Sequence, residues 1–247
     1  MTEPPPPKSA PVFFTTRWTL VSRASGETPE ARAALGDLCE AYWNPVFHFL
    51  RREGRGEDES RELTQAFFAK VLTGAGIGNV SPDKGRFRSY LLGALKNFLA
   101  NRKRDANREK RGGNAVVESI DGGGTDESPG MELADPGATA DDAWFDRHWA
   151  LAVMERGLDR VRQSFDQSGK TRQFEVLRPW LMGDPEGLTQ ADAAEELGMT
   201  RAAAKVAVHR LRQKFGEAIR SEIAETVDTE EEIAEELRYL IEVLRVA

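Results

Sequence analysis

Apolar residues recur at three- and four-residue steps through most of this chain, the period of an amphipathic helix. Leu35, Leu38, Cys39, Tyr42, Val46, Phe49 and Leu50 form the first such stripe. Pro45 lies within it and predicts a kink near Ala41. A glycine break at Gly54–Gly56 precedes a second stripe of Leu63, Phe67 and Val71. The Gly- and Pro-bearing stretch TGAGIGNVSPDKG reads as a loop. Phe87, Leu91, Leu95, Phe98 and Leu99 then make a third stripe. Runs of period two bounded by turn signals do not stand out, so the pattern predicts an all-α fold without a substantial sheet.

The pattern is interrupted twice. Residues 1–12 are proline-rich and are expected to be disordered or extended. Residues 112–143 are rich in Gly, Asp and Glu, with neither Lys nor Arg between Gly112 and Asp146, the composition of a flexible acidic linker. Helical periodicity resumes at Trp144. The expected organisation is therefore a helical domain over 13–111, the linker, and a second helical domain over 144–221. An acidic amphipathic helix over 222–247 follows, with Ile233, Leu237, Leu240, Ile241 and Leu244 on one face. Trp144, His148 and Trp149 are expected to stabilise the start of the second domain.

Charge sharpens this picture. The 247 residues carry a formal net charge of −7, which argues against a uniformly basic nucleic-acid coat but not against local patches. Two helices are strongly basic. Arg86–Arg111 holds nine Lys/Arg against Asp105 and Glu109, and Thr200–Lys214 holds five with no acid. Lys and Arg can simply solvate a helix face. Two such runs, each with its own apolar back, fit contact with two stretches of one duplex, where phosphate neutralisation supplies affinity. Cys39 is the only cysteine, so neither a disulfide framework nor a cysteine metal site is expected. A signal-peptide core and an apolar run long enough to span a bilayer are also lacking, so the expected location is the cytoplasm. The sequence implies no cofactor and no metal.

The stretch LTQADAAEELGMTRAAAKVAVHRLRQKF, Leu188–Phe215, predicts a helix-turn-helix. Thr189 and Asp192 have capping-box spacing. Gly198 can take the left-handed conformation that closes a helix, and Thr200 can cap the next one. In that second helix Ala204, Val208, Leu211 and Phe215 share the core side. Arg201, Lys205, His209 and Arg212 are placed opposite, with Arg210 beside them. A helix packed on one side and basic on the other suits insertion in a major groove, where Arg and Lys reach guanine edges or phosphate. The plainer reading is a helical hairpin. His209 has no second His or Cys near it in sequence and reads as a phosphate or base donor.

The segment GRFRSYLLGALKNFLANRKRDANREKR, Gly85–Arg111, combines aromatic and basic residues. Arg86, Tyr90, Gly93, Asn97, Asn101 and Arg104 share a helical stripe, with Arg88, Lys96, Arg102 and Lys103 as further bases. Arg can hold phosphate, Asn can read a base, and an aromatic ring can stack on an unpaired one. Phe87 fits the core stripe better.

ELTQAFFAKVL (Glu62–Leu72), KGRFRSYLLGALKNFLANRKR (Lys84–Arg104) and AAAKVAVHRLRQKF preceded by AEELGMT carry a resemblance. So do FFTTRWTLV near the start and SEIAETV, Ser221–Val227. In order and spacing the chain resembles a bacterial RNA polymerase sigma factor of the extracytoplasmic-function group, in the long form found in planctomycete-like bacteria. The resemblance covers roughly residues 13–111 and 144–228. It implies a first domain, sigma region two, that binds the polymerase clamp helices and opens the minus-ten element. A loop at about Val80–Arg86 would capture a flipped base, and Arg86, Arg88, Tyr90, Lys96, Asn97, Asn101, Arg102, Lys103 and Arg104 would meet DNA. It implies a second domain, sigma region four, that reads the minus-thirty-five element through Thr200, Arg201, Lys205, His209, Arg210 and Arg212. The acidic linker would thread the RNA exit path. Core polymerase, through its clamp helices and flap, and promoter DNA are the implied partners, with an anti-sigma factor or kinase as a regulator. Asp58, Glu59, Glu62, Gln65 and Phe68 are the implied polymerase contacts. The protein would be nucleoid-associated through polymerase and would perform no chemistry of its own.

The sequence departs from the family pattern at three places. Arg61 interrupts the acidic run, Ala66 follows Gln65, and Ala207 stands where many relatives carry Arg. Phosphorylation of Thr64 would restore negative charge beside Arg61; the plainer reading is an exposed helix threonine. Two other functions compete. One is a stand-alone helix-turn-helix regulator, dimerised through the C-terminal helix to place two reading helices one turn apart. The other is an enzyme holding magnesium through the carboxylates of Asp58–Glu62, with His48. The aromatic-basic helix favours the sigma reading, because a duplex reader has little use for a stacking platform.

Overall fold

The computed structural model describes residues 28–72, 87–111, 140–227 and 229–245. The expectations for residues 1–12, for the loop at Val80–Arg86 and for most of the acidic linker lie outside them. Every regular element among the described residues is helical. The helices are α1 (Pro29–Arg52), α2 (Glu57–Leu72), α3 (Phe87–Arg111), α4 (Ala140–Gln167), α5 (Thr171–Leu177), α6 (Gln190–Glu196), α7 (Arg201–Ala224) and α8 (Glu230–Arg245). A 3-10 turn over Arg178–Trp180 follows α5.

The chain divides into two compact units at the Trp149–Ala150 boundary. The first unites α1, α2, α3 and the start of α4. Its core is the three predicted stripes: Leu35, Leu38, Val46 and Leu50 of α1, Phe67 of α2, and Phe87, Leu91 and Leu95 of α3 are all buried. Aromatic edges interlock there. Tyr42 meets Phe87 at 5.0 Å between ring centres in a T-shaped contact, and Phe67 meets Phe98 at 5.6 Å. The α1 helix runs on through Pro45, which is buried. At the α1–α2 turn Gly54 adopts φ 83°, a conformation that favours glycine. Cys39 is buried, and desolvation pushes its thiol up to about 12, so it is un-ionised at neutral pH.

The start of α4 belongs to this core. Phe145 is fully buried and packs edge-on against Phe49 at 6.1 Å, and Trp144 approaches the same ring at 6.3 Å. Trp144, His148 and Trp149 therefore pack on α1 and α3 of the first unit rather than at the start of the second. The helix also begins at Ala140, inside the stretch that composition assigns to the linker. The physical reason is apolar area: burying a ring of this size contributes about 1.5–3 kcal/mol, and α1 offers Phe49 to receive it.

The second unit contains α4 from Ala150, then α5, α6, α7 and α8. A Cβ added at Gly157 would lie 3.1 Å from Ile219 Cγ1, so glycine lets α4 and α7 approach closely. Beside that crossing Glu222, itself buried, accepts from Arg156 Nε at 2.8 Å and pairs with Arg160 Nη2 at 2.6 Å. Phe174, Leu177 and Trp180 close the core under α7. The last helix, α8, starts with a capping box: Thr229 N–H donates to Glu232 Oε2 at 3.0 Å, and Glu232 N–H donates back to Thr229 Oγ1 at 3.2 Å. Its buried edge is Ile233, Glu236 and Leu240, whereas Ile241 stays 48% exposed. The predicted apolar face is thus rotated toward Glu236.

Candidate nucleic-acid interface

The helix-turn-helix forms by the local chemistry that the sequence predicts. Thr189 N–H donates to Asp192 Oδ2 at 2.8 Å, and Asp192 N–H donates to Thr189 Oγ1 at 3.2 Å, closing the capping box of α6. The Thr189 N–H and hydroxyl hold the Asp192 carboxyl below its ordinary range. Gly198 turns the chain at φ 62°. Thr200 Oγ1 accepts from Ala203 N–H at 3.2 Å and starts α7. Ala204, Val208, Leu211 and Phe215 are buried, and Arg201, Lys205, His209 and Arg210 are exposed. Val206, 48% exposed, lies among these bases. The exposed face thus offers Arg and Lys donors for guanine or phosphate and a small apolar group for a thymine methyl.

Arg212, also exposed, is engaged within the protein. Its Nε donates to the Trp180 carbonyl at 2.7 Å, and its Nη2 donates to the Gly183 carbonyl at 3.0 Å and to Asp184 at 3.2 Å. It follows Leu211 directly and lies four residues beyond Val208, at the edge of the buried stripe. The loop after the 3-10 turn claims it there.

In the first unit α3 splits its basic residues between two tasks. Asn97, Asn101, Arg102, Lys103 and Arg104 are exposed. Arg88 is buried: its Nε donates to Asp146 Oδ1 at 3.0 Å, and its guanidinium lies 4.6 Å from the centre of the Trp149 ring. Its side chain is therefore held inside the unit rather than on the exposed face of α3. Lys96 forms an ion pair with Asp142. Tyr90 is half-buried beside Phe87, at 6.1 Å between ring centres, and burial pushes its phenol up to about 12, aided by Cys39. Arg86 lies outside the described residues.

The polymerase-facing expectation for α2 is also divided. Asp58, Glu59, Glu62 and Gln65 are exposed. Phe68 is buried and stacks on Trp43 at 5.7 Å and 20°, so it is a core ring. Thr64 is fully buried and donates to the Ser60 carbonyl at 2.7 Å, so its hydroxyl is closed to a kinase. Arg61 pairs with Glu57 at 2.9 Å and lies 3.9 Å from Asp58, which neutralises part of the acidic run. A groove of about 570 Å³ brings Glu59 and Glu62 together with Arg55, Arg102 and Lys103 over Leu63 and Leu99.

Sequence reasoning missed the α8 capping box, although Thr229 and Glu232 have the required spacing. It also missed the pairing of Asp142 and Asp146 with α3, which local sequence does not signal. Among the described residues no group of three or more His, Cys, Asp or Glu is placed to hold a metal ion. None of their helices is long and apolar enough to cross a membrane. Compared with protein families, curated proteins and solved structures, the chain matches none.

Proposed function

We propose that this protein is a sigma factor of the extracytoplasmic-function type, a dissociable subunit that directs core RNA polymerase to promoters. The observation that carries the reading is the capped helix-turn-helix: α7 is buried along Ala204, Val208 and Leu211 and presents Arg201, Lys205, His209 and Arg210 outward. In this reading α7 enters the major groove of the minus-thirty-five element. The exposed Asn97, Asn101, Arg102, Lys103 and Arg104 of α3 meet the opened minus-ten strand, and Asp58, Glu59, Glu62 and Gln65 of α2 face polymerase. The protein acts in the cytoplasm, on the nucleoid, and an anti-sigma factor is its natural regulator. It has no catalytic residue: binding energy is spent on placing polymerase and separating strands.

The test is transcript initiation on a library of host upstream regions, with and without bacterial core polymerase. The expected result is silence alone and defined start sites with core enzyme. Tight duplex binding alone, with no initiation by the host's core enzyme, would replace this reading with a stand-alone regulator.

A further inference from the structure

The first unit contains a carboxylate pair set against the basic helix α3. Asp142, Asp146 and Trp149 fall at i, i+4 and i+7 of α4 and so line one face. That face meets α3 in antiparallel order: Arg88 touches Asp146 and Trp149, and Lys96 touches Asp142. The two pairs differ in depth. Arg88 and Asp146 have side chains 6% and 17% exposed, beside the buried Trp149 and Phe145. Lys96 and Asp142 are 41% and 21% exposed, and Asp142 lies in the first turn of α4. The inner pair is an anchor, because releasing it would expose two large rings. The outer pair sits where a helix frays and where water and salt weaken an ion pair.

We propose that Asp142 is an intramolecular stand-in for a nucleic-acid phosphate, holding Lys96 until a strand on α3 displaces it. The proposal rests on the reading above that α3 meets nucleic acid. Lys96 is one residue from the exposed Asn97 and two turns from Arg102 and Lys103, so a strand tracking those residues comes within its reach. Exchange of Asp142 for phosphate then adds one cation to the interface at the cost of opening one helical turn. The anchor at Arg88, Asp146 and Trp149 keeps the start of α4 nearby and returns the carboxylate when the strand leaves. The acid thus raises the threshold for binding any strand, most of all when salt is low.

The test uses the full chain and a fluorescent single-stranded DNA oligonucleotide titrated at several salt concentrations. Asp142→Asn is expected to tighten binding by about two- to fivefold at low salt, the scale of an exposed ion pair. It should also make the salt dependence steeper, because salt screens the Lys96–Asp142 pair that competes with the strand in the wild type. Both gains should vanish in the double variant with Lys96→Ala. Binding that is intact but indifferent to Asp142 would overturn the proposal alone, as would a gain that survives Lys96→Ala. No binding by either wild type or Asp142→Asn at low salt would overturn both this proposal and the assignment of α3 to nucleic acid.

Discussion

The Arg212 side chain on α7 donates through Nε to the Trp180 carbonyl at 2.7 Å, with its Nη2 on the Gly183 carbonyl and Asp184. One guanidinium thus gathers a loop that lies about thirty residues earlier in sequence. Arg212 supplies donors to those carbonyls in the fixed fork geometry that only Arg offers.

Replacing Arg212 should therefore act on stability. Arg212→Ala is expected to cost about 1–2 kcal/mol, the worth of charged hydrogen bonds near a surface. Arg212→Lys should recover little of it, because an ammonium cannot reproduce the fork. Chemical denaturation of the two variants checks this. A full recovery by Lys would mean that charge alone matters at this position.

Lys205 should behave in the opposite way. It is exposed on α7. Lys205→Ala is expected to leave the melting temperature within a degree or two, since such surface changes stay within about 0.5 kcal/mol. Duplex binding should weaken, and the log–log salt slope should fall in magnitude by about 0.9, one phosphate on B-form DNA. Titrations of wild type, Lys205→Ala and Arg212→Ala across a salt series separate the two roles: only the Lys205 variant should change the slope.

The difference between these residues explains what the sequence made legible. Stripes such as Leu35, Leu38, Tyr42 and Val46 are local and periodic, and they became the core. The caps at Thr189, Gly198 and Thr200 are also local, since each is satisfied within three or four residues. What misled were side chains whose partners are remote. Arg88 finds Asp146 58 residues away, and Arg212 finds Trp180 32 residues away. In a helix the flank of an apolar stripe reads as exposed until a second element covers it. That is why Arg88, Phe68 and Thr64 were assigned to a surface. Trp144, His148 and Trp149 differ for the related reason that composition places them after a linker, while packing places them on α1 and α3.

Thr64 gives a sharp case. Its hydroxyl is buried and engaged with the Ser60 carbonyl at 2.7 Å. That carbonyl keeps its helical N–H partner when the hydroxyl is lost, so Thr64→Val, which preserves the shape, should change stability by less than about 1 kcal/mol. Thr64→Asp buries an unpaired charge and should cost about 3 kcal/mol or more. Denaturant midpoints for the pair check this. An Asp variant as stable as wild type would mean that the α2 helix exposes this position.

His148 sets a pH limit on the junction between α1 and α4. Its ring stacks on Trp144 at 3.6 Å between centres and lies 5.5 Å from His48, with Nδ1 3.0 Å from the Trp144 carbonyl. Burial holds its pKa below the ordinary value of 6.5. The hydrogen bond to the Trp144 carbonyl opposes that shift, and His48, Arg147 and Arg52 reinforce it. The unfolded chain therefore binds a proton more readily than the folded one. The stability that this neutral ring contributes is fully present above 6.5 and is lost as the pH falls through its lowered folded value. Melting temperature should drop between pH 7.5 and about 5.5, before most carboxylates titrate. In His148→Gln, which keeps a polar side chain and removes the titration, the drop should be smaller. An unchanged pH profile in that variant would place the acid sensitivity elsewhere in the molecule.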